Sequence, residues 1–301
     1  MSPERNKEHG KRLVIRVPAR RAVALETTLL VHGVPNDTAL GLHRDLCGIV
    51  AEEGAVPALV GVVGGVATVG MTEEELRIML AQGKSVAKAN TANLGVLCHW
   101  GAHAATTVSA TMELATGAGV SVFATGGLGG VHREYGCQLD VSSDLAAFTR
   151  FPVCVVASGV KGILDVKATR EALETLGVPV IGYQTDDFPA FYQRSSGMSV
   201  DARMDDVDSL AHFVRNELAR TGRGVLVCQA IPESEEIAQD DFDLWLEQAE
   251  EEAEDQGIVG RAVTPFVLGR LHEISRGRTL RANLALVREN ARLAGRIASR
   301  M

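Results

Sequence analysis

The chain has 301 residues, of which 46% are hydrophobic, 4% aromatic and 23% charged, and its formal net charge at pH 7 is -8. This composition is typical of a globular protein whose core is built from aliphatic side chains. The acidic balance excludes a general binder of the nucleic-acid backbone, because such binding requires clustered lysines and arginines. We therefore expect no nucleic-acid polymer among its partners.

The first twelve residues are polar and lack the apolar stretch of a secretory signal, so we expect a cytoplasmic location. The five cysteines are odd in number and form no Cys-x-x-Cys pair, which predicts neither a disulfide framework nor a zinc ribbon. Residues 54–71 are apolar and uncharged, but they contain five glycines and Pro57. Glycines and a proline at these positions predict buried strands joined by turns and not a membrane-spanning helix. We therefore expect no membrane partner.

Apolar stretches alternate with helical periodicity along most of the chain. The apolar stretches are continuous, as in strands buried on both faces. This alternation predicts an α/β fold in which helices cover a largely parallel sheet. We predict strands at residues 21–31, 56–63, 119–124, 153–157, 179–182 and 224–228, and helices at residues 37–53, 72–82, 106–117, 169–176, 205–220 and 240–256.

No repeat or linker divides the chain, so we predict a polar N-terminal segment, residues 1–20, and one catalytic α/β domain, residues 21–301. Thr72 followed by Glu75 ahead of an apolar face matches the capping box that begins a helix.

The first candidate for chemistry is Glu26, which lies inside the predicted strand at residues 21–31. A lone carboxylate is costly there unless it is paired or protonated. A buried glutamate with a raised pKa is the usual form of a general acid. The alternative is a structural hydrogen bond to a neighbouring threonine or lysine.

A glycine-rich segment, residues 124–133, follows the predicted strand at residues 119–124 and contains four glycines in five positions, with His132 and Arg133 behind them. Backbone amides of such a segment can approach an anion closely. It does not match a dinucleotide fingerprint, because His132 stands where a third glycine is needed. The segment predicts a substrate loop, and a plain tight turn is the alternative.

Two further segments carry candidate ligands. Asp140 and Asp144, with Ser142 and Ser143 between them, offer oxygen atoms suited to a hard divalent cation, and a helix cap is the alternative. Lys161 lies just past the predicted strand at residues 153–157, at the edge where open α/β sheets bind ligands. A partly desolvated lysine there can form an imine, although a surface lysine is the common case.

Taken together and in this order, the segments around these residues resemble the pseudouridine-5'-phosphate glycosidase family over roughly residues 22–300. The matching segments are residues 24–28, 32–35, 54–57, 105–108, 125–133, 140–145, 161–165, 177–183, 188–191, 231–233, 264–266 and 290–291.

The resemblance implies a three-layer α/β/α fold, a homotrimer, and an enzyme that makes or breaks a carbon–carbon bond between C1' of ribose 5-phosphate and a ring carbon. It further implies that Glu26 is the proton donor, that Lys161 forms the covalent adduct, and that Asp140 binds Mn²⁺, with Mg²⁺ or Fe²⁺ as alternatives. The substrate-binding positions that it implies are Lys88, Thr107, Val108, Gly127, His132, Ser142, Ser143, Asp144 and Asn283.

The chain departs from the family pattern where that pattern has Lys-x-Ser-Arg-Arg-Asp, because residues 88–93 read Lys-Ala-Asn-Thr-Ala-Asn. It also has Gln229-Ala230 for Asn-Pro and Gly162 for Ser. A hydrogen-bonded uracil pocket tolerates such losses poorly. These departures favour a biosynthetic member that joins ribose 5-phosphate to an aromatic polyketide, as in alnumycin biosynthesis.

The alternative is a pseudouridine-5'-phosphate glycosidase of nucleoside salvage, whose aglycone is a pyrimidine. A catalytically silent ligand-binding relative is a third hypothesis. The presence of Glu26, Asp140 and Lys161 together disfavours it, because a silent relative has no use for all three.

Overall fold

The computed structural model describes residues 13–133, 140–258 and 263–301. Eleven strands of this part of the chain form one sheet, in the order β1-β4-β3-β2-β7-β8-β11-β9-β10, with β6 beside β3 and β5 beside β6. The strands are β1 Leu13–Ile15, β2 Ala22–Glu26, β3 Val56–Val63, β4 Val66–Val69, β5 Ala87–Ala89, β6 Ala104–Thr106, β7 Val122–Ala124, β8 Cys154–Ala157, β9 Val180–Tyr183, β10 Ala202–Met204 and β11 Val225–Cys228.

The sheet is largely parallel, as predicted. From β3 through β2, β7, β8, β11 and β9 to β10, each neighbouring pair of strands is parallel. Strand β3 pairs antiparallel with β4 and with β6. The antiparallel pair β3–β4 accounts for the apolar residues 54–71, which form buried strands joined by a turn at Gly64 and Gly65. Both glycines have positive φ, a conformation that suits residues without a Cβ.

Helices lie on both faces of the sheet. Helices α2, α8 and α11 pack with one hydrophobic cluster, and helices α5 and α7 pack with the other. This arrangement is the predicted three-layer α/β/α fold. The helices are α1 Thr28–His32, α2 Asn36–Glu52, α3 Glu73–Gln82, α4 Leu94–His99, α5 Val108–Gly117, α6 Ser143–Ala147, α7 Val166–Thr175, α8 Val207–Thr221, α9 Gln239–Asp255, α10 Val263–Ile274 and α11 Arg278–Ala298.

Local caps explain where several helices begin. The predicted capping box of α3 is present, because Thr72 Oγ1 accepts a hydrogen bond from the amide of Glu75 at 3.2 Å and Glu75 Oε2 accepts one from the amide of Thr72 at 2.9 Å. Asp165 begins α7 by accepting from the amide of Ala168 at 2.8 Å. Lys161 lies in the loop between β8 and this cap.

The prediction of one strand over residues 21–31 is wrong at its second half. Strand β2 ends at Glu26, and α1 begins at Thr28. The Oγ1 atom of Thr27 donates to the carbonyl oxygen of Val60 at 2.9 Å and accepts from the amide of Thr106 at 2.9 Å. Thr27 is therefore held between two neighbouring strands while the chain turns away, and a short apolar stretch cannot by itself distinguish strand from helix.

The longest helix, α11, was not predicted, nor were the short strands β1, β5, β6 and β10. Helix α11 buries alanines such as Ala291 and Ala294 beside Leu286 and Ile297, so its core-facing side is built largely from small residues. It crosses β2, β7 and β8 and packs against α2. Strand β1 lies inside the predicted polar segment 1–20, of which residues 1–12 fall outside the described part.

Four cysteines, Cys47, Cys98, Cys154 and Cys228, are free, whereas Cys137 falls outside the described part. Cys154 and Cys228 are buried, and burial raises the pKa of the Cys154 thiol to about 12. These two are the small core hydrophobes that the sequence predicts. Within the described ranges, none of the helices is long and apolar enough to cross a membrane.

Candidate active site

The carboxyl ends of β2, β7 and β8 bring three predicted functional segments together. Glu26 is the last residue of β2, Thr125 follows β7 directly, and Lys161 comes four residues after β8. Because these strands are parallel neighbours, their carboxyl ends meet at one edge of the sheet. A pocket of about 740 Å³, open to solvent, lies there. Its lining residues are Glu26, Thr28, Leu29, His32, Gly33, Lys88, Thr125, Gly126, Gly127, Lys161, Gly162, Ile163, Phe191, Tyr192, Leu268, His272 and Asn283.

Glu26 is the buried carboxyl of this pocket, with 7% of its surface exposed. Burial raises its pKa above the usual value for glutamate, and the positive charge of Lys161 and a hydrogen bond from the Thr125 hydroxyl partly oppose this rise. The hydrogen bond is the structural alternative that the sequence left open. The raised pKa keeps Glu26 available as a proton donor.

Lys88, from β5, is a second amine of the pocket. Burial and the positive charge of Lys161 lower the pKa of Lys88, while the charge of Glu26 opposes that shift. Two lysines and one carboxyl group thus influence one another across the pocket. Such perturbed groups in a cleft are typical of functional sites.

The glycine-rich segment forms the floor of the pocket at Gly126 and Gly127. A Cβ atom on Gly127 would lie 2.5 Å from Cδ2 of Phe191, so only glycine fits beneath that ring. Phe191 itself has a φ of 64°, which is uncommon for a bulky residue. The amide of Phe191 donates to the carbonyl oxygen of Ser158 at 3.0 Å, which holds it in place.

Several amides of this segment bind protein groups. The amide of Leu128 donates to the carbonyl oxygen of Gly159 at 3.0 Å, and that of Val131 to Thr169 Oγ1 at 2.9 Å. The amide of Gly129 donates to the carboxylate of Asp144 at 2.9 Å. These amides are occupied in the fold, so the predicted approach to an anion stays a prediction for Gly126 and Gly127 alone.

Asn290, a buried residue of α11, stabilises the same segment. Its Nδ2 donates to the carbonyl oxygen of Thr125 at 2.9 Å and lies 3.1 Å from Ser158 Oγ. Helix α11 therefore ties together the loops that follow β7 and β8. The family resemblance includes residues 290–291 but gives Asn290 no role. The hydrogen bonds of Asn290 join residues far apart in the chain, so the sequence does not reveal them.

A cluster of polar residues adjoins the glycine-rich segment without lining the pocket. The carboxylate of Asp144 accepts from the amides of Ser109 and Gly129, each at 2.9 Å, and Ser142 Oγ caps α6 by accepting from the amide of Asp144 at 3.2 Å. Ser142 is therefore a helix cap, which was the alternative given for this segment. Both carboxylate oxygens of Asp144 accept hydrogen bonds from backbone amides. Of the predicted substrate-binding residues, Thr107, Val108, His132, Ser142, Ser143 and Asp144 lie outside the lining, whereas Lys88, Gly127 and Asn283 belong to it.

Asp140, the predicted metal ligand, is exposed and outside the pocket lining. Its Oδ2 lies 3.8 Å from Nε2 of His132. An oxygen and an imidazole nitrogen together suit Mn²⁺, and hard cations commonly take the rest of their ligands from water. In residues 13–133, 140–258 and 263–301 no group of three or more His, Cys, Asp or Glu side chains gathers. The pair therefore fits a cation that keeps several waters.

The pocket has residues that the sequence interpretation missed, namely His32, Tyr192, Leu268 and His272. They lie on α1, on α10 and in the segment between β9 and β10, so no short motif connects them. Burial lowers the pKa of both histidines. The pocket therefore combines charged groups with neutral imidazoles and aromatic rings.

Comparison with known proteins identifies relatives along nearly the whole chain. A family model described as Indigoidine synthase A like protein matches residues 17–300. The pseudouridine-5'-phosphate glycosidase of Paracoccus denitrificans is 47% identical over 282 residues, which cover 93% of this chain and 92% of the relative. The pseudouridine-5'-phosphate glycosidase of Solibacter usitatus is 44% identical over 284 residues, which cover 94% of each chain.

A solved structure also resembles the chain. It is the prealnumycin C-glycosynthase AlnA in complex with ribulose 5-phosphate, with a TM-score of 0.87 and 33% identity. The match covers 96% of this chain and 97% of that protein. The two activities weighed from the sequence thus both occur among proteins of this fold, and the glycosidases are the more similar in sequence.

Proposed function

The chain belongs to the family of Indigoidine synthase A like proteins, and on that premise we propose that it is a pseudouridine-5'-phosphate glycosidase. The reaction cleaves the bond between C1' of ribose 5-phosphate and C5 of uracil. The observation that carries the proposal is the convergence of Glu26, Lys88 and Lys161 in one pocket at the carboxyl edge of the sheet. The relatives at 44% and 47% identity, both glycosidases, support it.

The chemistry explains why a lysine is needed. A carbon–carbon glycosidic bond has no leaving oxygen that an acid can protonate, so the two carboxylates of an ordinary glycosidase are insufficient. Once the ribose ring has opened, an amine bound to C1' can form a C1'=N bond with its lone pair while the electrons of the C1'–C5 bond pass to the aglycone. Lys161 is the pocket lysine at the end of β8, and we assign it this role.

The steps balance as follows. Glu26 gives a proton to O4' as the C1'–O4' bond breaks, and Lys161 Nζ forms a bond to C1' and loses a proton. The nitrogen lone pair then forms a C1'=N imine while the C1'–C5 bond breaks, and its electron pair passes to uracil, which takes a proton at C5. Water adds to the imine and releases ribose 5-phosphate and the free lysine.

The resemblance implies a substrate-binding role for Lys88 and a metal-binding role for Asp140, without saying which part of the substrate Lys88 contacts. We propose that Lys88 binds the sugar phosphate, because it is a partly buried cation beside Lys161. We also propose that Asp140, with His132 beside it, holds a divalent cation, Mn²⁺ or otherwise Mg²⁺ or Fe²⁺. When bound, such an ion can orient a water molecule or an oxygen of the substrate. The homotrimer implied by the resemblance also stays a proposal, which light scattering on the purified protein tests.

A second candidate is C-ribosylation of an aromatic polyketide, the hypothesis that the sequence favoured. The fold shared with AlnA at 33% identity supports it, as do the departures at residues 90–93, 162 and 229–230. The greater identity to the glycosidases weighs against it. Both candidates use the same imine, so they differ in the aglycone and in whether the carbon–carbon bond is broken or formed. The catalytically silent relative is the third candidate, and it forms no imine.

Borohydride trapping tests the proposal. The protein is incubated with ribose 5-phosphate, Mn²⁺ and borohydride, and its intact mass is measured for the wild type, Lys161→Ala and the control Lys167→Ala, which changes an exposed lysine of α7. We expect an adduct in the wild type and the control, none in Lys161→Ala, and cleavage of pseudouridine 5'-phosphate by the untreated wild type. An adduct without cleavage returns the chain to the C-glycosynthase candidate, and no adduct refutes the covalent mechanism.

A further inference from the structure

A histidine of the pocket is oriented by buried hydroxyl groups. Nδ1 of His272, on α10, lies 2.7 Å from Thr279 Oγ1, which lies 2.9 Å from Ser275 Oγ. Thr279 and Ser275 are buried, whereas His272 lines the pocket. The imidazole therefore has one nitrogen engaged with the protein. Its other nitrogen, Nε2, has no hydrogen-bond partner in the described ranges.

A second unpaired group lies close by. Thr279 and Asn283 are four residues apart on α11 and so project from the same side of that helix. Asn283 also lines the pocket, and its buried Oδ1 accepts no hydrogen bond from the described residues. A buried acceptor without a donor costs free energy, which a bound molecule can restore. The lining of the pocket thus includes both the imidazole of His272 and the side chain of Asn283.

We propose that His272 is a specificity-determining residue that donates a hydrogen bond from Nε2 to a carbonyl oxygen of the uracil ring, and that Thr279 is its positioning residue. The inference rests on the proposed function and extends it to the recognition of the aglycone. The uracil ring has N–H groups next to carbonyl groups. Such an N–H can donate to Asn283, and the adjacent carbonyl oxygen can accept from His272.

The proton arrangement is consistent with this role. This role requires that Thr279 donates to Nδ1 of His272, so that the imidazole carries its hydrogen on Nε2. Ser275 then donates to Thr279 and not to the carbonyl oxygen of His272, which lies 3.4 Å from Ser275 Oγ. Burial lowers the pKa of His272, so the ring is neutral at neutral pH. A neutral donor favours an uncharged carbonyl group over an anionic aglycone. The edges of Phe191 and Tyr192, whose ring centroids are 4.7 Å apart, provide apolar surface in the same pocket.

The experiment measures uracil binding to the borohydride-reduced ribose 5-phosphate adduct, which cannot turn over, by titration calorimetry. Four variants form two matched pairs: His272→Leu with His272→Gln, and Thr279→Val with Thr279→Ser. Removing the hydrogen bond should weaken uracil binding roughly tenfold in His272→Leu. His272→Gln keeps a donor near Nε2, and Thr279→Ser keeps the hydroxyl, so both should bind like the wild type. Thr279→Val should weaken uracil binding in the same direction as His272→Leu.

Analogues identify the contact. Pyrimidin-2-one and pyrimidin-4-one each lack one carbonyl group of uracil, and His272→Leu should cost nothing for the analogue that lacks the contacted one. Unchanged uracil binding by His272→Leu overturns the inference, as does an adduct that binds no uracil. The proposed function is judged separately, by cleavage of pseudouridine 5'-phosphate. Failure of cleavage refutes the function, whereas cleavage together with uracil binding that does not depend on His272 refutes the inference alone.

Discussion

Asn290 Nδ2 donates a hydrogen bond to the carbonyl oxygen of Thr125 across 2.9 Å, and the hydroxyl of Thr125 in turn donates to the carboxyl group of Glu26. Helix α11 is thereby linked through Thr125 to the proposed proton donor. Asn290 is fully buried, so its bonds have no water to replace them.

Replacing Asn290 with leucine should therefore destabilise the protein by about 1 to 3 kcal/mol, because the carbonyl oxygen of Thr125 is left unpaired. It should also lower the turnover number, because Thr125, which donates a hydrogen bond to Glu26, is no longer held by Asn290. Urea unfolding and turnover measure the two effects. The control Asn216→Leu changes an exposed residue of α8 and should alter neither. Equal stability of the two variants contradicts the role given to Asn290.

Glu26→Gln should reduce turnover by roughly a hundredfold or more, because a general acid contributes at least that factor. The folded-state pKa of Glu26 is raised by burial. Its contribution to stability is therefore complete below the unfolded-state pKa and is lost as the pH rises through the folded-state pKa. Glutamine does not ionise. The unfolding free energy of Glu26→Gln should therefore increase relative to that of the wild type as the pH rises through that interval.

Thermal unfolding of both proteins across this pH range gives the measurement. The activity of the wild type should fall as the pH passes the raised pKa of Glu26, since the acid is then ionised. A difference in unfolding free energy that stays constant with pH would show that Glu26 has an ordinary pKa.

Gly127→Ala should weaken the binding of ribose 5-phosphate, because the new Cβ atom would lie 2.5 Å from Phe191 Cδ2 and 2.8 Å from Cε2. Either the ring or the loop must move, at a cost of about 1 to 3 kcal/mol of stability. The matched control is Gly41→Ala in α2, where a Cβ meets no atom within 4 Å. Alanine there should stabilise the protein by about 1 kcal/mol and leave binding unchanged. Calorimetry and urea unfolding distinguish the two.

Asp140→Ala and Asp144→Ala should separate a metal ligand from a structural carboxylate. Asp140 is exposed, so its removal should change stability by less than about 0.5 kcal/mol while reducing Mn²⁺ binding, measured by electron paramagnetic resonance of the free ion. Asp144 is buried and pairs with two amides, so Asp144→Ala should cost about 3 kcal/mol. Mn²⁺ binding by Asp140→Ala equal to that of the wild type refutes the metal assignment.

Local patterns determined much of this fold. Strands β3, β7, β8 and β11 were predicted because strands buried on both faces are continuously apolar, and α3 because its capping box involves only neighbouring residues. The position of Lys161 beyond β8 follows from the same local patterns, whereas Glu26 was predicted inside a strand and lies at the end of β2. These elements can be predicted because the pattern that forms each of them lies in consecutive residues.

Only the tertiary structure decided which of these residues share a pocket. Lys88, His272 and Asn283 come from β5, α10 and α11, so their presence in one pocket with Glu26 depends on how the helices cover the sheet. The two aspartates look alike in sequence, yet the backbone amides of Ser109 and Gly129 engage Asp144 and leave Asp140 exposed. The sequence determined the elements and their chemistry, and packing determined which side chains meet, because contacts between distant residues arise only when the chain is folded.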